Sequence, residues 1–435
     1  MLANPPSVAV MLQWLRAGDI SCREIVEDCL TRMESHRNLN AFLWADPDRV
    51  IAMLPPRPTG PLAGLPIALK DNIDTAGIPT TSGSMVDRDR VPSTDAAVWQ
   101  RLRDLAGAVL LGKTHLSEFA YRSHHPALGW VRNPRNPDRA TGGSSSGSAA
   151  AVAAGLVPAA LGTDTGGSIR IPAAYCGIVG LKGTVGAVET LGVIPLSTTT
   201  DHVGVLARSV TDAAIVFEQA SARRLDLLDP ATGYIRRPDP RRLRIAIERD
   251  FFLAGAQPAV LDGWERAARA LEKAGCLMIP ISVPQAAAWR LAQRTILLHE
   301  AWTYHAPRLR TDAPYGPVFR AAVTRGSRIT VNQYQQALMV RQEAIRFMAS
   351  VFNKADVILT PTCPTVAPAK EEGTRSVLFN RFTTLAAFAG LPAISIPSST
   401  GYLGLPVGVQ LIGAANAERK VVEVAALLEA LLESV

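Results

Sequence analysis

The chain reads as an α/β protein with a mixed or largely parallel sheet, and three observations lead there. Short apolar runs of strand character alternate with amphipathic stretches of helical period. The 435 residues, 48% of them hydrophobic, can bury the core of one large domain or of two to three average ones. No repeat of solenoid length breaks the alternation.

The elements follow in order. The first 50 residues read as helices, with Ser21 and Glu24 forming a capping box ahead of Ile25, Val26 and Leu30. Pro55, Pro56, Pro58 and Pro61 mark a loop, after which Leu65–Leu69 is a short buried strand delivering Lys70. Ser93-Thr94-Asp95 caps a helix with Val98, Leu102 and Leu105 on one face, ended by Gly107. Ala108–Leu111 is the next strand, and residues 131–141, with Pro134 and Pro137, are a loop. Ser148–Leu156 is an Ala-rich buried helix and Val157–Leu161 a strand feeding a glycine-rich turn. Residues 219–242, rich in Arg, Asp and Pro, form a boundary. Strand Leu243–Ile247, amphipathic helix Ala259–Lys273 and strand Cys276–Ile279 follow, then a mostly helical stretch over 284–355. Asp356–Leu359, Ala393–Ile396 and Val407–Leu411 are strands, and Ala417–Leu432 closes the chain as a helix.

Composition narrows the function. The longest small-apolar run, Ala149–Leu161, is broken by Gly155 and Pro158 and too short to span a bilayer. No charged and apolar leader is visible at the start. Five scattered cysteines without a C-x-x-C pair suit reduced thiols in a cytoplasmic protein, and Cys22 and Cys29 pack on one helix. The net charge is +7, yet the densest basic cluster (Arg236, Arg237, Arg241, Arg242, Arg244) lacks interleaved aromatics and reads as a solvated linker edge.

Two glycine-cradled serines carry the chemistry. Ser144 follows Gly142-Gly143, and Ser168 closes Asp164-Thr165-Gly166-Gly167. A serine nucleophile needs a base and an oxyanion hole, and a glycine turn can aim consecutive N–H groups at one point. His36, His115, His124, His125, His202, His299 and His305 fit no triad spacing and read as structural or surface groups. Lys70 offers the base instead, with Ser144 between it and Ser168. Only seven of the 45 basic residues are lysines, and a lysine can lose its proton where an arginine cannot. Its pKa must fall several units, so the carboxylates of Asp71 and Asp74 are expected to point elsewhere. Other readings stand beside this one. The serine run can be a linker, Lys70 alone a snorkelling surface residue, and Gly143-Ser144-Ser145-Ser146-Gly147 a nucleophile elbow with Ser145 attacking. That elbow needs a preceding strand, and residues 131–141 read as loop. A Walker phosphate loop is excluded by the missing G-K-[ST] ending.

The runs Gly64–Asn72, Thr141–Ala151, Gly162–Pro172 and Cys176–Lys182 resemble the amidase signature family, and the likeness extends from the N-terminal helices to Gln410. The resemblance implies one large domain over 1–435, a central twisted mixed sheet covered by helices on both faces. Its parts would be an N-terminal helical segment (about 1–60), a signature core (about 61–218), a variable insert (about 243–355) and C-terminal core strands and helix (about 356–435). It implies Lys70 as base, Ser144 as a bridging serine after a cis peptide bond, and Ser168 as acyl-forming nucleophile. Thr165, Gly166, Gly167 and Ser168 would supply the oxyanion-hole amides, with Asp164, Arg170 and Ser145 supporting them. No metal or cofactor is implied. The expected reaction is hydrolysis of a small linear or aryl amide by a cytoplasmic monomer or homodimer, without nucleic acid or membrane. Carbamate, urea-type or ester hydrolysis, the glutaminase subunit of a tRNA-dependent amidotransferase, and a catalytically dead scaffold are the alternatives. Departures from the family pattern include Pro55–Pro58 in a shortened segment before Gly60, Gly183 for a common Pro, Ser146 for a common Gly, and no Asn in Leu385–Gly390. The last two bear on the pocket, whose walls are sought in 119–129, 298–319 and 379–388, with Tyr121, Trp130, Trp302, Tyr304, Tyr315 and Phe319 as candidate lining.

Overall fold

An eleven-stranded mixed sheet runs through the computed structural model, which describes residues 5–229, 235–370 and 379–434. Its strands are β1 (Phe42–Trp44), β2 (Pro66–Lys70), β3 (Val109–Thr114), β4 (Ala159–Asp164), β5 (Val179–Lys182), β6 (His202–Ala207), β7 (Arg244–Ile247), β8 (Leu277–Pro280), β9 (Val357–Pro361), β10 (Ala393–Thr400) and β11 (Pro406–Gly413). They lie in the order β1-β3-β2-β4-β6-β5-β10-β11-β9-β7-β8. Strands β2 to β6, β9 and β11 are buried along their whole length, which is why β2, β3, β4, β9 and β11 read as apolar runs without alternation. Helices Ser146–Ala153 and Arg170–Cys176 form one layer, and Val210–Ala220, Pro258–Lys273 and Glu418–Glu433 the other.

The pairing of β2 decides where chemistry can occur. It runs parallel to β3 on one side and to β4 on the other, with Ile67 opposite both Leu110 and Ala159. Three strand ends therefore emerge at one edge, carrying Lys70, Thr114 and Asp164. Loops at the carboxyl ends of parallel strands leave a crevice that side chains from several strands can share. The serine run crosses this edge and enters its helix at Ser146, held tight by Gly147, whose N–H donates to the His115 carbonyl. A Cβ on Gly147 would sit 2.3 Å from the Ala41 carbonyl oxygen and 2.5 Å from His115 backbone atoms.

Most expected elements are present, including the Ser21–Glu24 capping box and Cys22 and Cys29 buried on its helix. Some differ for identifiable reasons. The expected cap Ser93-Thr94-Asp95 is displaced. Helix Ala97–Gln100 starts from Ala96 without a side-chain cap, because Asp95 Oδ1 accepts from the Ala76 N–H at 2.7 Å. The next turn, Arg101–Leu105, widens into a π-turn and rotates Leu105 out to 64% exposure, off the apolar face. β3 runs on to Thr114, β4 begins two residues late, and the Ala-rich helix begins two residues early, inside the serine run. Strands β1, β5 and β6 were not anticipated. β5 and β6 each carry a glycine and are buried throughout, so neither strong propensity nor alternation marks them.

Gly147→Ala should destabilise the fold by about 3 kcal/mol or more, because the new methyl group meets backbone atoms that cannot swing aside. Urea unfolding of the two proteins checks this; an unchanged midpoint would contradict the close approach.

Candidate active site

Lys70 ends β2 fully buried, between Ser144 and Thr163. Its Nζ lies 2.8 Å from Ser144 Oγ and donates to Thr163 Oγ1 at 2.6 Å and, at 3.4 Å, to the Thr163 carbonyl. A neutral amine has two N–H donors and one lone pair. Two donors directed at Thr163 leave the lone pair for the Ser144 hydroxyl proton. Burial pushes the Lys70 pKa down to about 7, against the pull of Asp201 and Asp164. The two nearest carboxylates in sequence are turned away, as the sequence requires. Asp71 accepts from the Thr81 N–H and hydroxyl and pairs with Lys113, and Asp74 is gripped by Arg90 through two 2.6 Å contacts.

The peptide bond between Gly143 and Ser144 is cis. Ser144 and Ser168 both open onto one cavity of about 260 Å³. Accessibility is graded: Lys70 is sealed, Ser144 is 3% exposed and Ser168 is half-buried on the wall. Among the described residues the Ser168 hydroxyl has no partner, and its backbone carbonyl accepts from the Ser145 N–H at 3.2 Å. Ser145 is fully buried, and its hydroxyl is spent on β4, donating to the Thr163 carbonyl and accepting from the Thr163 N–H. It pins the serine run to the sheet and cannot reach a substrate, which removes the nucleophile-elbow reading.

Asp164 shapes the turn that carries Ser168. Its carboxylate accepts from the Gly167 and Ile169 amides and takes a two-point contact from Arg170. Burial alone would raise its pKa, but the Arg170 guanidinium holds it below the usual carboxylate range. Arg170 Nη1 reaches Gln410 Oε1 in β11 at 3.0 Å, so the turn is braced across the sheet. The Gly167 amide points inward at 2.7 Å from Asp164, a different direction from that expected of an oxyanion donor. Among the described residues the amides of Thr165, Gly166 and Ser168 have no acceptor in the protein.

Several functional neighbours escaped the sequence. Thr163 lies one residue before Asp164 on the opposite face of β4, a placement strand alternation could have given. Asp201 has no local signal; it arrives because β6 runs antiparallel to β4 with His202 opposite Asp164. It accepts from the Thr165 hydroxyl at 2.5 Å, and burial pushes its pKa up to about 6. Gln293, on the helix Ala286–Leu309, donates to the Thr165 carbonyl at 3.0 Å. Of the candidate lining aromatics, Tyr121 and Trp130 face the cavity. Trp302, Tyr315 and Phe319 pack in a separate cluster around Phe119, and Tyr304 lies under Arg308. The helical wall is formed by Arg290 to Leu297, one stretch upstream of the expected 298–319. His124, on the cavity wall, is held neutral by burial and by His115 and Lys370, and its Nε2 is 2.8 Å from the Ser146 hydroxyl. All five cysteines are buried and unpaired. Among the described residues no group of three His, Cys, Asp or Glu side chains is placed to hold a metal, and no helix is long and apolar enough to cross a membrane.

The chain is similar to known proteins over nearly its whole length. The family model described as Amidase matches residues 24–422. The chain is 36% identical to a glutamyl-tRNA(Gln) amidotransferase subunit of Chloroflexus aurantiacus over 449 residues, covering 92% of this chain and 91% of the relative. A crystal structure of an amidase superposes with a TM-score of 0.88 at 29% identity, covering 98% of this chain and 99% of the other. The peptide amidase of Stenotrophomonas maltophilia superposes with a TM-score of 0.80 at 32% identity, covering 98% and 96%.

Activity should rise with pH through about 7 and level off above it, because Lys70 accepts a proton only when neutral. Lys70→Ala should lower kcat about 10³-fold or more, and Lys70→Arg should not restore it, since arginine stays charged. Steady-state kinetics across that range checks both; a flat profile with chemistry rate-limiting contradicts the assignment.

Proposed function

The chain belongs to the amidase signature family of carbon–nitrogen hydrolases, and we propose that it cleaves a linear amide through an acyl-enzyme on Ser168. The observation that carries this is Lys70 Nζ at 2.8 Å from Ser144 Oγ, buried without a paired carboxylate among the described residues, beside a cavity that Ser168 faces. Ser168 Oγ attacks the amide carbon. Its proton passes to Ser144, whose own proton passes to Lys70. The amides of Thr165, Gly166 and Ser168 receive the oxyanion. The tetrahedral adduct collapses as the relay returns the proton to the leaving nitrogen, and water then releases the acid by the same route. Asp164, Arg170 and Ser145 hold the two loops in register. Esters, carbamates and urea-type substrates fit the same acyl chemistry.

The same reading takes residues 1–435 as one catalytic domain, supported by a sheet whose strands come from the core, the insert and the C-terminal segment. A cytoplasmic location is part of it, supported by the five unpaired buried cysteines.

The Chloroflexus relative supports a second reading more directly than it supports a free-standing amidase. Its name gives one component of an enzyme acting on glutamyl-tRNA(Gln), against the expectation of no nucleic-acid partner. On that reading this chain hydrolyses glutamine within an assembly. The purified chain discriminates the two: turnover of small amides unaided supports the first, and ammonia release from glutamine only with added partner proteins supports the second.

A fluorophosphonate should label Ser168, with the adduct located by mass spectrometry and abolished in Ser168→Ala. An adduct on Ser145 or Ser144 overturns the proposed nucleophile.

A further inference from the structure

Four cations line the cavity: Arg122, Arg290, Arg294 and Lys370. None forms an ion pair among the described residues, and no described aspartate or glutamate lines the cavity. Three other cations, Arg170, Lys113 and Arg308, do have carboxylate partners, Asp164, Asp71 and Asp87. The contrast locates uncompensated positive charge at the mouth of the active site. Arg290, Gln293, Arg294 and Leu297 follow i, i+3, i+4, i+7 on the helix Ala286–Leu309, so one helical face presents both arginines. Gln293 anchors that face to the catalytic turn through the Thr165 carbonyl. Burial, then the like charges of Arg381 and Arg294, lower the Arg290 pKa, the effect of neighbours without a counter-charge. On a separate loop, Arg122 sits at φ 64°, in the left-handed region, and its Nε is buried with no acceptor. A buried guanidinium N–H left unpaired is unfavourable, and a ligand carboxylate would satisfy it with a planar two-point fit.

Building on the amide-hydrolysis reading, we infer that the substrate is an amide bearing a free carboxylate and no amino group, and that Arg122, Arg290 and Arg294 select it. The carboxylate supplies the missing counter-charge. An ammonium would enter a cavity that offers cations and no described acid, so an α-amino group works against binding.

Three compounds with one carbon skeleton test this: glutaramic acid, pentanamide without the carboxylate, and glutamine with an added amino group. Ammonia release by the purified chain should give a kcat/KM at least about tenfold higher for glutaramic acid than for either other compound. The ratio of glutaramic acid to pentanamide should fall about tenfold in Arg122→Gln and in Arg290→Gln, and shrink with added salt. Equal or faster turnover of pentanamide, or faster turnover of glutamine, overturns the inference and leaves the amidase reading standing. If no amide turns over, calorimetry on Ser168→Ala still decides: tighter binding of glutaramic acid than of pentanamide supports the inference, and equal affinity overturns it. Failure of fluorophosphonate to label the wild-type serine is the separate result that removes the amidase reading itself.

Discussion

The site depends on a buried lysine that no carboxylate is allowed to reach. Three lysines are fully buried in this sheet, and the protein treats each differently. Lys113 is paired with Asp71. Lys182 directs its Nζ at the carbonyls of Gly183 and Leu391. Lys70 meets the hydroxyls of Ser144 and Thr163 and, unlike Lys113, forms no ion pair among the described residues. At Lys113 burial lowers the pKa and Asp71 opposes it; at Lys70 the closest Nζ contacts are hydroxyls, and burial takes the pKa down to about 7. The surroundings follow from that requirement. Asp71 must have Lys113 and Thr81 as partners, and Asp74 must have Arg90, because either carboxylate turned toward Lys70 would abolish the base.

A second buried charge is handled in the opposite way. Asp164 is kept ionised by Arg170 and two backbone amides, and Arg170 in turn rests on Gln410, whose Nε2 donates to Thr360 Oγ1 and the Phe382 carbonyl. A buried pair of this kind adds little net stability over an apolar pair, while loss of one partner costs about 3–5 kcal/mol. Its value here is positional. The carboxylate draws the Gly167 and Ile169 amides inward, which turns Ser168 outward on the cavity wall and leaves the neighbouring Thr165 and Gly166 amides without acceptors among the described residues.

What the sequence disclosed follows the range of the interactions. Lys70, Ser144, Ser168, Asp164 and Arg170 sit in glycine-rich or apolar runs whose local pattern carries their meaning, and the structure brings all five to one strand edge. Asp201, Gln293 and Gln410 were invisible because each reaches the site through a pairing distant in sequence: β6 against β4, the helix Ala286–Leu309 against the Thr165 turn, β11 against the Arg170 helix. The direction of the Gly167 amide was equally hidden, since a glycine turn permits donors to converge but cannot say which one a neighbouring carboxylate will claim. The wall helix was placed one stretch too late because periodicity locates a helix without saying which part of it meets the cavity.

The separation between the reacting groups and the wall has a consequence for specificity. Lys70 and Thr163 belong to strands paired in register, and Ser144 and Ser168 to loops fixed by Ser145 and Asp164, so a small shift in any of them disturbs the proton path. The helix Ala286–Leu309 reaches the catalytic region through Gln293 on Thr165 and through Glu300, which accepts from the hydroxyls of Ser197 and Thr199. The side chains of Arg290 and Arg294, which are not buried in the core, can change without moving a reacting atom. One chemistry is thereby compatible with many substrates, and the identity of the acyl group has to be read from the charge and shape of that helical face rather than from the serines and the lysine.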